Sequence, residues 1–230
     1  MPSLLSNPAL SRRDAAVAAH RFFLLFVFLL ASLIIYPFAD HTGAGYHAFR
    51  ILGSAAIFFS VYAVSFRRSV VVCGLALAVP ALFQHLFRPR ADAGAFAILN
   101  ISLSFAFNLF IVVVIFRRVF AREKPNSETV FGALCIYLLV GFSFASVYGM
   151  LATLQPHAFF LDPQTNLHII PDRFDFIYYS FGTMTSLGAA GITAVSNQAR
   201  SITVIEAVLG VLYLAVLIAR LMGAYRSPGP

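Results

Sequence analysis

Apolar runs separated by short polar or basic breaks set the pattern of this chain. Crossing a bilayer core of about 30 Å takes roughly 20 mostly apolar residues. Six runs meet that length, at about Phe22–Ala39, Ala48–Phe66, Ser69–Phe87, Ala95–Phe116, Thr129–Leu154 and Arg200–Tyr225. Their ends carry turn or charged residues: DHTGAGYH after the first, Arg67-Arg68 after the second, RPRADAG after the third and RRVFAREK after the fourth. Pro80 predicts a kink in the third run, and Pro125, Asn126 and Ser127 supply helix-start chemistry for the fifth. After the fifth, QPHAFFLDPQTNLHIIP leads into Asp172–Ser196, DRFDFIYYSFGTMTSLGAAGITAVS. This stretch is too broken by Gly182, Gly188 and Gly191 to be another span. It predicts a short helix at about Arg173–Met184, followed by an irregular strand rich in Gly and Ala. Irregular backbone at membrane depth persists only where protein buries it or where it lines a wet cavity.

The expected fold class is therefore all-α integral membrane, with six transmembrane helices and a re-entrant pore helix and filter loop between spans five and six. Residues 1–21 form an N-terminal cytoplasmic or interfacial segment and 22–116 a four-helix transmembrane domain. Residues 117–128 are a cytoplasmic linker, 129–225 a pore domain with its loop at 172–196, and 226–230 a C-terminal tail. In the N-terminal segment, Ser11 and Asp14 have capping-box spacing and predict the start of an interfacial helix. No small-residue cleavage site clearly follows the first apolar run, so a cleavable signal is not expected.

Composition agrees with this class. The chain has 230 residues, 60% hydrophobic and 11% charged, and a mean hydropathy of +0.85, which leaves no length for a sizeable soluble domain. The formal charge of +7 sits at span ends rather than in a soluble patch, so it reads as topology and not as a nucleic-acid surface. Six spans place both termini on one side. With that side cytoplasmic, it receives Arg12, Arg13, Arg21, Arg67, Arg68, Arg117, Arg118, Arg122, Lys124, Arg220 and Arg226. The other side receives Arg50, Arg88, Arg90, Arg173 and Arg200, a division of 11 against 5 of the 16 basic residues. The expected location is the cell (inner) membrane, with the pore loop entering from outside. Cys73 and Cys135 lie in apolar runs without ligand spacing, so neither a disulfide nor a zinc site is expected.

Candidate chemistry concentrates near the short helix. Asp172 and Asp175 are placed to cap its start, where carboxylates complement the positive end of the helix dipole. The negative end then points into the membrane near Met184 and Thr185, where it would favour a cation. Glu206 is the one carboxylate well inside a span, and such groups face protein or water. Glu206, Gly210, Tyr213 and Leu217 share a helix face. Glu206 either packs behind the loop against Tyr178, Tyr179 or Thr183, or faces a water-filled cavity as a cation site. Gly141, Ala145 and Gly149 form a small-residue stripe for close helix approach.

The fourth span has no basic residue except the terminal Arg117-Arg118; its interior polar groups are Asn100, Ser102, Ser104 and Asn108, so an Arg-helix voltage sensor is not expected. Gln84 and His85 are either a proton- or ligand-sensitive pair or interfacial residues. There is no catalytic constellation and no transporter-like repeat, so neither an enzyme nor a cofactor is expected.

Phe174–Gly191, FDFIYYSFGTMTSLGAAG, resembles the pore helix and filter of the tetrameric potassium-channel superfamily, in which T-T-V-G-Y-G-D follows the helix. Thr185 and Ser186 match the threonines, Leu187 the valine and Gly188 the first glycine. Ala189, Ala190 and Gly191 stand for tyrosine, glycine and aspartate. The following ARSITVIEAVLGVLYLAVLIARLMG resembles the inner helix of bacterial channels with two spans and a pore loop, and the likeness covers roughly 129–225.

The resemblance implies a homotetramer in the lipid bilayer, with Gly210 as candidate gating hinge and potassium or sodium as the permeant monovalent cation. It implies no metal site beyond permeant cations. An Ala in left-handed geometry costs roughly 1–2 kcal/mol, so Ala190 implies a filter backbone that differs there. Ala189 lacks a bracing ring, and Gly191 removes a carboxylate from the mouth. The expected function is a cation-permeable pore with weakened potassium selectivity. The alternatives are a non-conducting subunit that assembles with or regulates a heteromeric channel partner, and a small-molecule transporter or receptor.

Overall fold

The computed structural model describes residues 8–35, 44–64, 68–86, 95–121, 127–166 and 170–225. Six long helices run in chain order: α1 (Pro8–Ile35), α2 (Ala44–Val64), α3 (Arg68–Leu86), α4 (Ala95–Phe120), α5 (Ser127–Leu154) and α7 (Asn197–Tyr225). A short helix, α6 (Arg173–Met184), lies between α5 and α7. Among the described residues, three helical stretches, Ile101–Phe120, Ser127–Leu154 and Asn197–Gly223, are long and apolar enough to cross a membrane. The apolar cores described in α1, α2 and α3 are shorter: His20–Ile35, Ile51–Val64 and Arg68–Leu82.

Successive helices α1 to α4 pack as neighbours, and α1 and α4 both pack against α5. The reason lies in spacing. Phe22, Leu25 and Leu29 recur on one face of α1, as do Phe107, Ile111, Ile115 and Val119 on α4, and all are buried with Ile136, Leu138 and Leu139 of α5. Gly132 allows the close α4–α5 approach, since a Cβ there would lie 2.6 Å from Val119 Cγ2. Pro80 sits inside α3 without ending it.

A second cluster joins α5, α6 and α7 with the short strands at Phe159–Leu161 and Ile192–Ala194. Tyr148, Phe159, Phe176 and Tyr179 meet edge to face, with ring centroids 5.1–5.5 Å apart.

Three sequence expectations change. The fold is not entirely helical: β1 (Phe159–Leu161) pairs antiparallel with β2 (Ile192–Ala194), Phe159 opposite Ala194 and Leu161 opposite Ile192. Each strand buries its outer residues and exposes the middle one, an alternation too short to stand out from a loop. Ser11 lies within α1, which starts at Pro8, so it does not cap the helix. Helix α4 also continues through Arg117 and Arg118 to Phe120, which shortens the linker expected at 117–128.

That extension has a consequence. Arg118 Nε donates to Glu128 Oε1 at 2.5 Å, joining the end of α4 to the first turn of α5, and the Glu128 side chain is 2% exposed. Arg220 of α7 reaches the same corner, its guanidinium 4.6 Å from the Phe120 ring centroid. Removing one partner of a buried pair costs about 3–5 kcal/mol. Arg118→Ala is therefore expected to lower thermal stability in detergent clearly more than Glu128→Gln, which leaves an uncharged group in the buried position and a guanidinium that can reach solvent.

Candidate functional site

Helix α6 begins with a complete capping box, as Asp172 and Asp175 were expected to form. Asp172 Oδ1 accepts from the Phe174 and Asp175 N–H groups at 2.6 and 3.0 Å, and Asp175 Oδ2 accepts from the Asp172 N–H at 2.7 Å. Three backbone donors at the helix start are met, and negative charge sits at the positive end of the helix.

The small residues of α5 receive α6. A Cβ at Gly141 would lie 2.7 Å from Phe181 Cζ, and one at Gly149 3.7 Å from Phe176 Cδ2. On the other side, Gly210 of α7 faces the end of α6: a Cβ there would meet Met184 O at 2.9 Å and Met184 Cα at 3.0 Å. Gly210 thus allows a close backbone approach.

Glu206 is fully buried. Its Oε1 accepts from Ser180 Oγ of α6 at 2.5 Å, and its Oε2 accepts from the Tyr148 hydroxyl of α5. Ser180 Oγ also lies 2.8 Å from the Gly141 carbonyl. The partners are therefore not Tyr178, Tyr179 or Thr183. Tyr178 is partly exposed, and Tyr179 Oη pairs with Thr203 Oγ1 at 2.9 Å. The helical period explains the difference, because Ser180 lies on the buried face of α6 and Tyr178 on the exposed one. Glu206, Gly210 and Leu217 are all buried, and the Tyr213 hydroxyl donates to the Ala133 carbonyl at 2.7 Å, so the face read from their spacing is the one packed inward.

Beyond Thr185, the C-cap of α6, the backbone leaves helical geometry as far as Gly191. Positive φ values fall at Ser186 (58°), Gly188 (79°) and Gly191 (85°). Ala190 is not among them; Gly188 and Gly191, which tolerate such angles, take two of the three. The Gly188 N–H donates to the Gly182 carbonyl at 3.1 Å, and a Cβ on Gly182 would stand 2.8 Å from Gly188 O. The Ile192 N–H donates to Ala189 O at 3.4 Å. Gly191 O accepts from the Asp162 N–H and from Asn166 Nδ2, both at 2.8 Å. Thr185 Oγ1 donates back to Phe181 O at 2.6 Å. Leu187 is 79% exposed.

Sequence reasoning missed Tyr148, Ser180, Thr203, Asp162 and Asn166. Each is a polar side chain within or beside an apolar stretch, but only the fold shows which carbonyl or carboxylate it meets. The side chains of Gln84, His85 and Asn100 lie outside the described residues.

Residues 130–227 match a protein-family model described as ion channel. No curated protein and no solved structure matches the chain. With its apolar helices, the chain is a membrane protein that carries an ion-channel domain.

The Glu206 contacts can be tested directly. A buried polar group that loses its partner costs roughly 1–3 kcal/mol, so Tyr148→Phe and Ser180→Ala should each lower thermal stability by about that much. Glu206→Leu should cost more than Glu206→Gln, which keeps an acceptor for Tyr148. Gly210→Leu is expected to destabilise by roughly 1–3 kcal/mol or more, because backbone rather than a flexible side chain blocks the added carbon.

Proposed function

We propose that this chain is one subunit of a homotetrameric cation channel in the cell (inner) membrane, with six spans, both termini cytoplasmic and α6 re-entrant from outside. The observation that carries this reading is the placement of α6. It is capped by carboxylates at Asp172 and Asp175, wedged between α5 and α7, and followed by an exposed loop of non-helical backbone. The ion-channel match spans the same segment. A single such loop supplies one wall of a pore, so several copies around an axis are needed. On α7, Val204, Val208, Val211 and Leu212 are exposed and apolar, which suits lipid or a neighbouring copy.

In this reading the partly negative end of α6 at Met184 and Thr185 favours a cation. Thr185–Gly191 form the filter, Glu206 packs behind it, and Gly210 serves as the inner-helix hinge. Potassium discrimination is weak, because Ala189 brings no ring and the outer carbonyls bond within the subunit. Those same bonds favour a second reading, a non-conducting subunit that works through a channel partner.

Flux through purified protein in liposomes separates the two. Potassium and sodium are expected to pass within roughly tenfold of one another, a discrimination below about 1.4 kcal/mol. Much stronger potassium preference would overturn the relaxed-filter reading, and absence of flux would favour the non-conducting one. Ala189→Tyr combined with Ala190→Gly is expected to raise the potassium-to-sodium ratio. Adding Gly191→Asp should undo the gain, since a Cβ there would collide with Thr165 and Asn166 at a φ of 85°.

A further inference from the structure

Gly191 ends the loop that follows α6, and its carbonyl is held from a distant part of the chain. Asp162 and Asn166 belong to the segment after β1, about 25 residues earlier. The Asn166 carboxamide has two N–H bonds to give, and its Nδ2 lies 2.8 Å from Gly191 O and 2.9 Å from Asp162 O. The Asp162 N–H meets Gly191 O at 2.8 Å. One side chain thus closes its own turn and fastens the end of the loop. Thr165 adds to the turn, with its N–H donating to Asp162 O at 3.2 Å. Just beyond, β1 and β2 pair from Leu161–Ile192 to Phe159–Ala194. The Val195 N–H then donates to Ala158 O at 2.8 Å. Gly191 is shaped for this fit, because a Cβ there would occupy the space of Thr165 Oγ1 and Asn166 Nδ2.

From these contacts we infer that Asn166 is a positioning residue for ion selection. It fixes the far end of the filter loop by holding the Gly191 carbonyl, so that carbonyl faces the protein and not an ion. The near end is fixed independently, by the Gly188 N–H on Gly182 O. The intervening Ala189 and Ala190 have small side chains and are positioned by backbone bonds at either side. Selectivity is therefore set in part from the segment after β1, outside α6 and α7. This inference rests on the channel reading above.

The test uses full-length protein carrying Asn166→Ala or Asn166→Asp, with Gln164→Ala as a neighbouring control whose side chain takes no part in the clamp. Two readouts are taken: amide hydrogen exchange of residues 189–196 in detergent, and the potassium-to-sodium flux ratio in liposomes. Loss of about one local hydrogen bond should speed exchange there by about tenfold in both Asn166 variants, and the flux ratio should shift by roughly threefold or more. Gln164→Ala should match the wild type in both. Unchanged exchange in the Asn166 variants would overturn the inference. So would faster exchange with an unaltered flux ratio, which would leave Asn166 a merely structural residue. If the wild type carries no flux, the channel reading fails and selection by Asn166 falls with it, while faster exchange would still identify the clamp. Asn166→Asp retains the size of the side chain and replaces its donor by an acceptor. A variant that loses only Asn166→Ala to misfolding is therefore still read through the carboxylate.

Discussion

Removing a carboxyl group from water inside an apolar helix bundle is costly unless hydrogen bonds meet its oxygens, and the arrangement of α5, α6 and α7 follows from how Glu206 meets that requirement. One oxygen takes the Tyr148 hydroxyl from α5 and the other takes Ser180 from α6. Each helix is thereby fixed at one level relative to the other two. Slipping α6 by one residue would carry Ser180 away from Glu206 and leave buried polar groups unmatched. Close backbone and ring contacts surround this centre. Gly141 admits the Phe181 ring on one side, and Gly210 admits the Met184 backbone on the other. Dispersion and close packing draw the helices together, but they are tolerant of small shifts. A directional bond to a buried acid is not.

The loop after α6 inherits this precision at one end and receives it from elsewhere at the other. Gly182, on α6, contacts Gly188 closely enough to exclude any side chain. Ala189 and Ala190 bring only small side chains to the stretch beyond Gly188. The ribbon β1–β2, itself packed in the same core cluster, and the turn at 162–166 bind Gly191. The loop is thus a span of backbone fixed at two points, with Leu187 exposed between the helix end and the outer attachment.

How much of this can be read from the residues alone depends on the range of the interaction. Signals within one helical turn were legible: the Asp172–Asp175 box, the limits Arg173 and Met184 of the short helix, and the common face of Glu206, Gly210 and Leu217. Each depends on spacing that the chain itself records. The small residues Gly141 and Gly149 revealed that something packs closely on α5, but not that α6 is that partner. Pairings across long separations were not legible. Glu206 with Tyr148 is such a case, as is Asn166 with Gly191. Ala190 shows a different limit. The likeness to T-T-V-G-Y-G-D implied that the backbone differs there but not where the positive angles fall instead, at Gly188, Gly191 and Ser186.

The first four helices meet the ion-channel domain through α5, not merely through chain continuity. Helix α4 lies along α5 from Phe107 to Val119, and α1 adds Phe22, Leu25 and Leu29 to the same core. At the end of α4, Arg118 holds Glu128 while Arg220 of α7 lies over Phe120. A displacement of α4 along its axis would therefore load both α5 and the last turns of α7. The upper part of α7 is held differently, through Glu206 and the contact of Gly210 with Met184. One helix is thus anchored to the loop-bearing cluster at one level and to the α4–α5 corner at another. Gly210 belongs to the first of these attachments and Arg220 to the second, so α7 couples the end of α6 to the α4–α5 corner.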